Sequence, residues 1–219
     1  MRNTGLATRL ASPLLIRRLP AAAPEAALLT FDDGPTRGVT EGVLTRLARH
    51  GARAVFCMVG ERVAAAPELA HACRDGGHGL GNHSQVHDMS RLPSPGAYLR
   101  DMDLCSAAIR EAAGGAPRWF RAPGGRLHPA SLLGPYRRGM RHLHWSVDPL
   151  DWRCRTPEQA RAVARRLADE VRGRDIVLLH DYDALVHHLL DELLPALAAR
   201  GLDLAGGLAA LEDRGGPPR

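Results

Sequence analysis

The chain has 219 residues, 45% of them hydrophobic and 24% charged, which is the balance of an ordinary globular domain and excludes a largely disordered chain. Its formal net charge of +5 comes entirely from arginine, because the sequence contains no lysine. The arginines are scattered among acidic residues with no basic stripe, and no apolar run approaches the roughly 18 residues of a membrane-spanning helix. We therefore predict a folded protein that neither binds nucleic acid nor spans a membrane.

The two ends of the chain carry little pattern. We predict a poorly specified N-terminal arm over residues 1–25, one folded domain over 26–210 and a loose tail over 211–219. The apolar run in the arm is short and is followed, not preceded, by Arg17 and Arg18, unlike the run in a secretory signal. We expect a cytoplasmic protein, with secretion as the alternative.

Apolar runs bounded by turn residues predict strands that alternate with helices. The predicted strands cover 26–31, 54–59, 78–81, 119–120, 142–147 and 175–179, with a further candidate over 202–204. Helical spacing predicts helices near 39–50, 61–74, 95–113, 156–171 and 184–200, the second with a break near Pro67. Ser94 and Thr156 are predicted N-caps because each precedes a proline. The alternation predicts a parallel α/β architecture.

The first predicted strand ends in two adjacent carboxylates, in the stretch Leu28-Leu29-Thr30-Phe31-Asp32-Asp33-Gly34-Pro35. Two carboxylates this close cannot both stay ionised in a dry site unless a cation or a strong donor lies between them. The pair therefore indicates a metal or a shared proton. The alternative is a solvated turn at the end of the strand, where Asp-Gly is common.

A second polar stretch follows the third predicted strand and reads Gly81-Asn82-His83-Ser84-Gln85-Val86-His87. Histidines four apart meet on one face of a helical turn, a spacing that paired imidazole ligands use. With one aspartate, His83 and His87 predict a three-ligand site that leaves room for water, as in catalytic zinc sites. Surface histidines in a loop are the alternative, since the chain has 11 histidines.

Unusual polar residues follow most of the predicted strands. They are Asp32 and Asp33, His83, Arg121, Asp151 and His180. In a closed (β/α) barrel, the loops at the C-terminal ends of the strands meet on one face and carry the chemistry. We therefore expect these side chains to form one site.

Five ordered motifs support a more specific interpretation. They are Thr30-Phe31-Asp32-Asp33-Gly34-Pro35, His83-Ser84-Gln85-Val86-His87, Arg121-Ala122-Pro123-Gly124, Asp148-Pro149-Leu150-Asp151-Trp152 and Leu178-Leu179-His180. In this order they resemble the motifs of the polysaccharide deacetylases with a NodB-homology domain, carbohydrate esterase family four. The resemblance implies a distorted (β/α) barrel of about seven parallel strands, with residues 26–210 as the catalytic domain.

The resemblance also implies the parts of a hydrolytic site. Asp33, His83 and His87 would hold a divalent metal, with Zn²⁺ expected and Co²⁺, Ni²⁺ or Mn²⁺ as alternatives. Asp32 would be the general base that takes a proton from the attacking water. His180 would be the general acid that protonates the departing amine.

Further roles follow from the same resemblance. Arg121 would pair with Asp32 and keep it ionised, and Asp151 would orient the ring of His180. Contacts with the substrate are implied for Gly124, whose backbone N–H would stabilise the oxyanion, and for Trp152 and Leu178, which would line the acetyl pocket. Each assignment has a structural alternative: a salt bridge for Arg121, a helix-start acid for Asp151 and an ordinary core residue for Trp152.

The resemblance implies hydrolysis of N-acetyl groups on glycans or oligosaccharides that contain N-acetylglucosamine, so the expected partner is a carbohydrate. A small acetylated natural product or a non-sugar amide is the alternative substrate. Many family members have an aromatic residue where Gly124 stands, which leaves the choice of substrate open. A catalytically silent carbohydrate-binding module is a third hypothesis, but it would be expected to lack the base or the acid, and the sequence retains both.

Overall fold

Parallel strands form one curled seven-stranded sheet in the computed structural model, which describes residues 14–88 and 94–213. In chain order the strands are β1 (Leu15–Ile16), β2 (Leu28–Asp32), β3 (Ala54–Met58), β4 (Gly79–Asn82), β5 (Trp119–Phe120), β6 (Arg141–Leu143) and β7 (Ile176–His180). Their order across the sheet is β1-β6-β5-β4-β3-β2-β7, and all neighbouring pairs are parallel. The predicted α/β class and the seven parallel strands of a distorted barrel are confirmed.

Helices connect the strands and cover the outer face of the sheet. They are α1 (Thr40–Arg49), α2 (Gly60–Ala65), α3 (Pro67–Asp75), α4 (Pro95–Ala113), α5 (Pro129–Tyr136), α6 (Pro157–Glu170), α7 (Leu185–Ala199) and α8 (Gly206–Glu212). Within the described parts of the chain, none of these helices combines the length and apolarity needed to cross a bilayer.

The two edge strands of the sheet, β1 and β7, are linked by the chain that follows β6. The backbone N–H groups of Ser146 and Val147 donate to the Ile176 carbonyl, and Leu178 N–H donates to the Val147 carbonyl. The predicted strand over 142–147 is therefore divided, since β6 ends at Leu143 and a separate parallel bridge joins Val147 to Val177. This link closes much of the gap in the barrel.

Apolar side chains fill both faces of the sheet. One buried cluster, enclosed by the curl of the sheet, includes Leu28, Val55, Trp119 and Leu143. A larger cluster packs the other side of the strands against the helices. Strands covered on both faces read as continuous apolar runs, which is why β2 and β3 are buried at every position.

Two predicted helix starts are confirmed by their capping bonds. The Ser94 hydroxyl accepts a hydrogen bond from Ala97 N–H and begins α4, and the Thr156 hydroxyl accepts one from Gln159 N–H and begins α6. The predicted break near Pro67 is also confirmed, because that proline is the first residue of α3.

The predicted strand over 202–204 is wrong. Only Asp203 makes a bridge, to Ala26, and its carboxylate then accepts hydrogen bonds from Ala205 N–H and Gly206 N–H, which ends the extended chain and starts α8. The seventh strand is instead β1, which lies within the segment predicted to be an arm. Leu15 and Ile16 are buried and pair with β6.

Candidate metal centre and active site

The two adjacent aspartates lie at the C-terminal end of β2, where the chain turns sharply. Asp33 has a φ of 74°, in the left-handed region that Asp tolerates better than most residues. A Cβ on Gly34 would clash with the carboxylate of Asp181, so the turn needs glycine. This turn directly after the strand allows the side chains of Asp32 and Asp33 to reach the same site.

Three ligand atoms converge beside this turn. Asp33 Oδ1 lies 3.4 Å from His83 Nε2 and 3.3 Å from His87 Nε2. The three atoms lie within 4.8 Å of one another, close enough for one ion to contact all of them. Asp33 Oδ1 is buried and accepts no hydrogen bond from the described residues. A buried carboxylate oxygen without a donor, facing two imidazole nitrogens, fits a divalent cation.

The ring of His83 is fixed for ligation. Its Nδ1 lies 2.8 Å from the Arg121 carbonyl oxygen, which only accepts, so Nδ1 carries the proton and Nε2 presents its lone pair to the site. Burial lowers the pKa of His83, but the carboxylates of Asp32 and Asp33 outweigh it and raise that pKa. Burial raises the pKa of Asp33, but His83 and His87 outweigh it and hold that pKa well below its usual range.

The predicted helical turn at His83 and His87 is wrong, although the two histidines do meet. Ser84 has a φ of 70°, which no α-helix contains, and its N–H is bonded to Asn82 Oδ1 at 2.8 Å. Residues 83–88 form an irregular loop. The histidines converge because the loop curls around the end of β4, not because of helical periodicity.

Asp32 faces the interior of the barrel and pairs with a buried arginine. Arg121 Nη1 lies 2.6 Å from Asp32 Oδ1 and 2.8 Å from Thr30 Oγ1, and the side chain of Arg121 is fully buried. The other guanidinium nitrogens donate to the Leu143 and His144 carbonyls, both at 3.1 Å. Burial lowers the pKa of Arg121, and the charge of Asp32 outweighs it and raises that pKa.

His180 ends β7 directly opposite Asp32, since the two are register partners of adjacent strands. Its Nδ1 lies 2.9 Å from Asp151 Oδ1, and its backbone N–H donates to Asp151 Oδ2 at 2.9 Å. Burial lowers the pKa of His180, but the hydrogen bond and the charge of Asp151 outweigh it and raise the pKa to about 9. The imidazolium is therefore the main form at neutral pH.

These groups open onto a single cavity of about 390 Å³, which is in the size range of small-ligand sites. Its lining contains most of the predicted site residues: Asp32, Asp33, His83, His87, Gly124, Trp152, Leu178 and His180. Arg121 and Asp151 lie behind this lining and contact Asp32 and His180. Trp152 is 41% exposed, which excludes the alternative that it is a core residue, whereas Leu178 is 5% exposed.

Comparison with known proteins identifies the family. The family model for polysaccharide deacetylases matches residues 21–140. A chitooligosaccharide deacetylase of Bradyrhizobium sp. (strain ANU 289) is 38% identical over 192 residues, which cover 80% of this chain and 86% of its own. A peptidoglycan-N-acetylglucosamine deacetylase of Bacillus cereus is 29% identical over 187 residues, which cover 82% and 68%. This chain belongs to the polysaccharide deacetylase family.

Solved structures agree with the assignment to the polysaccharide deacetylases. The family 4 carbohydrate esterase from Streptomyces lividans, in complex with acetate, superposes with a TM-score of 0.72 at 28% identity, covering 82% of this chain and 91% of its own. The peptidoglycan deacetylase PdaC from Bacillus subtilis gives a TM-score of 0.76 at 26% identity, covering 87% and 93%. The family resemblance drawn from the five motifs is thus confirmed.

Several residues around the site of this polysaccharide deacetylase were not singled out from the sequence. Trp145, Asp148 and Tyr182 also line the cavity. Their positions in the sequence could have indicated them. Trp145 and Tyr182 follow the ends of β6 and β7, and Asp148 begins one of the five motifs. Asp181 is fully buried under the Asp33 turn and accepts a hydrogen bond from Thr40 Oγ1 at 2.7 Å, and burial raises the pKa of Asp181 to about 7.

Proposed function

We propose that this protein is a metal-dependent deacetylase that hydrolyses the N-acetyl group of N-acetylglucosamine units in oligosaccharides or glycans. The observation that carries the proposal is the placement of Asp32 and His180 as register partners on adjacent strands, beside the convergent Asp33, His83 and His87. An acid and a base that flank a cation site are what hydrolysis of an amide requires. The named activities of the relatives from Bradyrhizobium and Bacillus cereus support the N-acetylglucosamine substrate.

Asp33, His83 and His87 would hold the ion, with Zn²⁺ as the proposed metal. Two imidazoles and one carboxylate are a common donor set of catalytic zinc sites, and they leave a position open. The chemistry that such an ion supplies when bound is Lewis acidity, which polarises a carbonyl and makes water more acidic.

Asp32 acts as the general base in this proposal. The Arg121 guanidinium donates to Asp32 Oδ1, so the carboxylate is held in one orientation with Oδ2 free to accept a proton from the attacking water. Oδ2 lies 3.7 Å from His83 Nε2, which places it at the edge of the cation site. The base is therefore aimed at the place where a hydrolytic water would stand.

His180 acts as the general acid. Since its Nδ1 is occupied by Asp151, Nε2 is the nitrogen that presents a proton to the cavity. The departing sugar amine takes that proton as the C–N bond breaks, and this prevents expulsion of an unstable amide anion. Asp151 compensates the charge of the imidazolium and fixes the orientation of the ring.

The lining of the cavity offers a surface for each part of an acetyl group. Leu178 and Trp152 present apolar surface for the methyl group, and Trp152 remains exposed enough to contact a sugar ring. The backbone N–H of Gly124 would donate to the oxyanion that develops on the acetyl carbonyl oxygen. Gly124 has a φ of 59°, a left-handed conformation that glycine adopts readily.

The alternative of a silent binding module is disfavoured by this geometry. Base, acid and their two supporting residues are all present and joined by hydrogen bonds of 2.6–2.9 Å. A binding module would have no use for a buried Asp32–Arg121 pair under its sugar site. The experiment below also distinguishes glycans from the smaller acetylated substrates.

The test is the loss of acetyl groups measured by mass spectrometry. Zinc-reconstituted protein and an Asp32→Asn variant would be incubated with N-acetylglucosamine, chitooligosaccharides and peptidoglycan fragments. We expect the wild type to remove acetyl groups and the variant to be slower by about 10²–10⁴-fold with unchanged zinc content. Asparagine keeps an oxygen that can accept from Arg121, so the pair retains one hydrogen bond.

Two results would contradict the proposal. Substantial activity of Asp32→Asn would remove Asp32 from the role of base. If the zinc-loaded wild type removed no acetyl groups from any of these substrates, the glycan substrate would be rejected. Small acetylated metabolites or non-sugar amides would then be tested.

A further inference from the structure

The loop between the two histidines is held by backbone hydrogen bonds on one side. The first N–H groups of α2 donate to it, from Gly60 to the Ser84 carbonyl and from Glu61 to the Gln85 carbonyl, both at 3.0 Å. These two carbonyls of the loop are thereby satisfied by backbone N–H groups.

On its other side, the loop is held by one carboxylate. Asp101 lies on α4 and is only 5% exposed. Its Oδ2 accepts from Gln85 N–H at 2.8 Å, and its Oδ1 accepts from Val86 N–H at 3.2 Å. Hydrogen bonds from N–H groups to an ionised acceptor are the stronger kind, and here both oxygens bind consecutive residues of the same loop.

The two histidines differ in what fixes them. His83 is anchored by its ring, which bonds the Arg121 carbonyl, and by its own N–H, which donates to the Met58 carbonyl at 2.9 Å. The His87 side chain is 48% exposed, its Nε2 lies 3.3 Å from Asp33 Oδ1, and its ring centroid lies 5.1 Å from that of His83. The position of His87 therefore depends on the backbone that leads into it, which is the segment bound by Asp101.

We propose that Asp101 is a positioning residue that holds His87 in place to bind the metal. The inference depends on the metal ligands given under the proposed function. Asp101 acts through the backbone N–H groups of Gln85 and Val86, which lead directly to His87. Removing one acceptor oxygen of Asp101 releases part of the loop. His87 must then be ordered when the ion binds, and this entropic cost lowers the affinity for the ion.

The experiment is a zinc titration of the full chain, with a chelator as competitor. We expect Asp101→Asn to weaken zinc binding about tenfold, because the amide keeps only one acceptor oxygen and outer partners of metal ligands typically contribute 10–100-fold. The matched control is Asp103→Asn on the same helix, whose carboxylate pairs with Arg138 at the surface. This control should change the affinity by less than about twofold.

A double-mutant cycle separates positioning from a general loss of structure. If Asp101 acts through His87, Asp101→Asn should cost little further affinity in a His87→Ala background. Equal losses in the wild-type and His87→Ala backgrounds would overturn the inference. If Asp101→Asn does not fold, Asp101→Glu replaces it in the same cycle. Glutamate keeps the charge but displaces both carboxylate oxygens, so we expect the same outcome.

Failure of the inference is distinct from failure of the proposed function. A wild-type protein that binds no zinc contradicts the proposed ligand set, and the inference with it. A wild type that binds zinc, combined with an Asp101→Asn variant of equal affinity, contradicts only the role of Asp101.

Discussion

The hydrogen bond between His180 and Asp151 sets the protonation state of one residue of the site. Buried imidazole on its own would be mostly neutral at pH 7, because burial lowers its pKa. Asp151 reverses this, and the pKa of His180 rises to about 9. The residue proposed as the general acid is thus kept protonated at neutral pH by Asp151, which lies behind the lining of the cavity.

This relation predicts the pH dependence of an Asp151→Asn variant. In the wild type the acid is protonated below about pH 9, so kcat should fall as the pH rises through that value. Without the carboxylate the pKa of His180 falls, and the alkaline limb of the profile should move down by about 1–3 pH units. Rate profiles of both proteins from pH 5 to 10 check this.

The control is Asp191→Asn, which removes a carboxylate that pairs with Arg46 at the surface. Its alkaline limb should coincide with that of the wild type. An unshifted limb in Asp151→Asn would mean that another group is the acid.

At the scale of elements, α7 buries a continuous apolar face. Leu189, Leu190, Leu193, Leu194 and Leu197 have at most 1% exposure and pack in the larger core cluster. This helix follows β7, which ends at His180, and the short turn that begins at Asp181. Its packing supports the strand that carries the proposed acid.

Leu193→Ala should therefore lower the free energy of unfolding by about 2–5 kcal/mol, since a fully buried leucine leaves a cavity behind. Leu104→Ala makes the same change on α4 at a position that is 60% exposed, and it should cost less than about 1 kcal/mol. Urea unfolding monitored by circular dichroism measures both. Equal losses in the two variants would contradict the packing described for α7.

The longer helices and strands were predictable from the sequence because their capping residues or apolar runs are contiguous in the chain. Ser94 and Thr156 combine a cap with a proline, and the apolar runs of β2, β3 and β7 are buried on both faces. The strand β1 was not predicted, since two residues give no periodicity and its pairing with β6 is set by tertiary contacts.

In the site, too, features that depend on neighbouring residues were predictable, whereas features that depend on distant contacts were not. Its chemistry lies in contiguous motifs, so Asp33, His83 and His87 could be named from the sequence alone. The loop conformation could not, because the positive φ of Ser84 and the hydrogen bonds that the loop donates to Asp101 depend on a helix that begins after the loop. A spacing of four residues indicates a helical turn only where tertiary contacts do not impose another backbone conformation.

At the scale of the whole molecule, the candidate metal centre joins parts of the chain that are far apart in sequence. Asp33 follows β2, His83 follows β4, and His87 lies at the end of the loop braced by α2 and α4. An ion bound by all three would hold these elements together only in the folded state. Metal binding and folding are then linked equilibria.

Removal of the metal should accordingly lower the melting temperature. At a free Zn²⁺ concentration of 100 times its Kd, binding stabilises the folded state by about 2.7 kcal/mol, which for a domain of this size corresponds to roughly 5–10 °C. Differential scanning calorimetry with zinc and with excess chelator measures the difference. In His83→Ala, which loses a proposed ligand whose side chain is 2% exposed, the difference between the two scans should nearly vanish. An undiminished difference in that variant would place the stabilising zinc at another site.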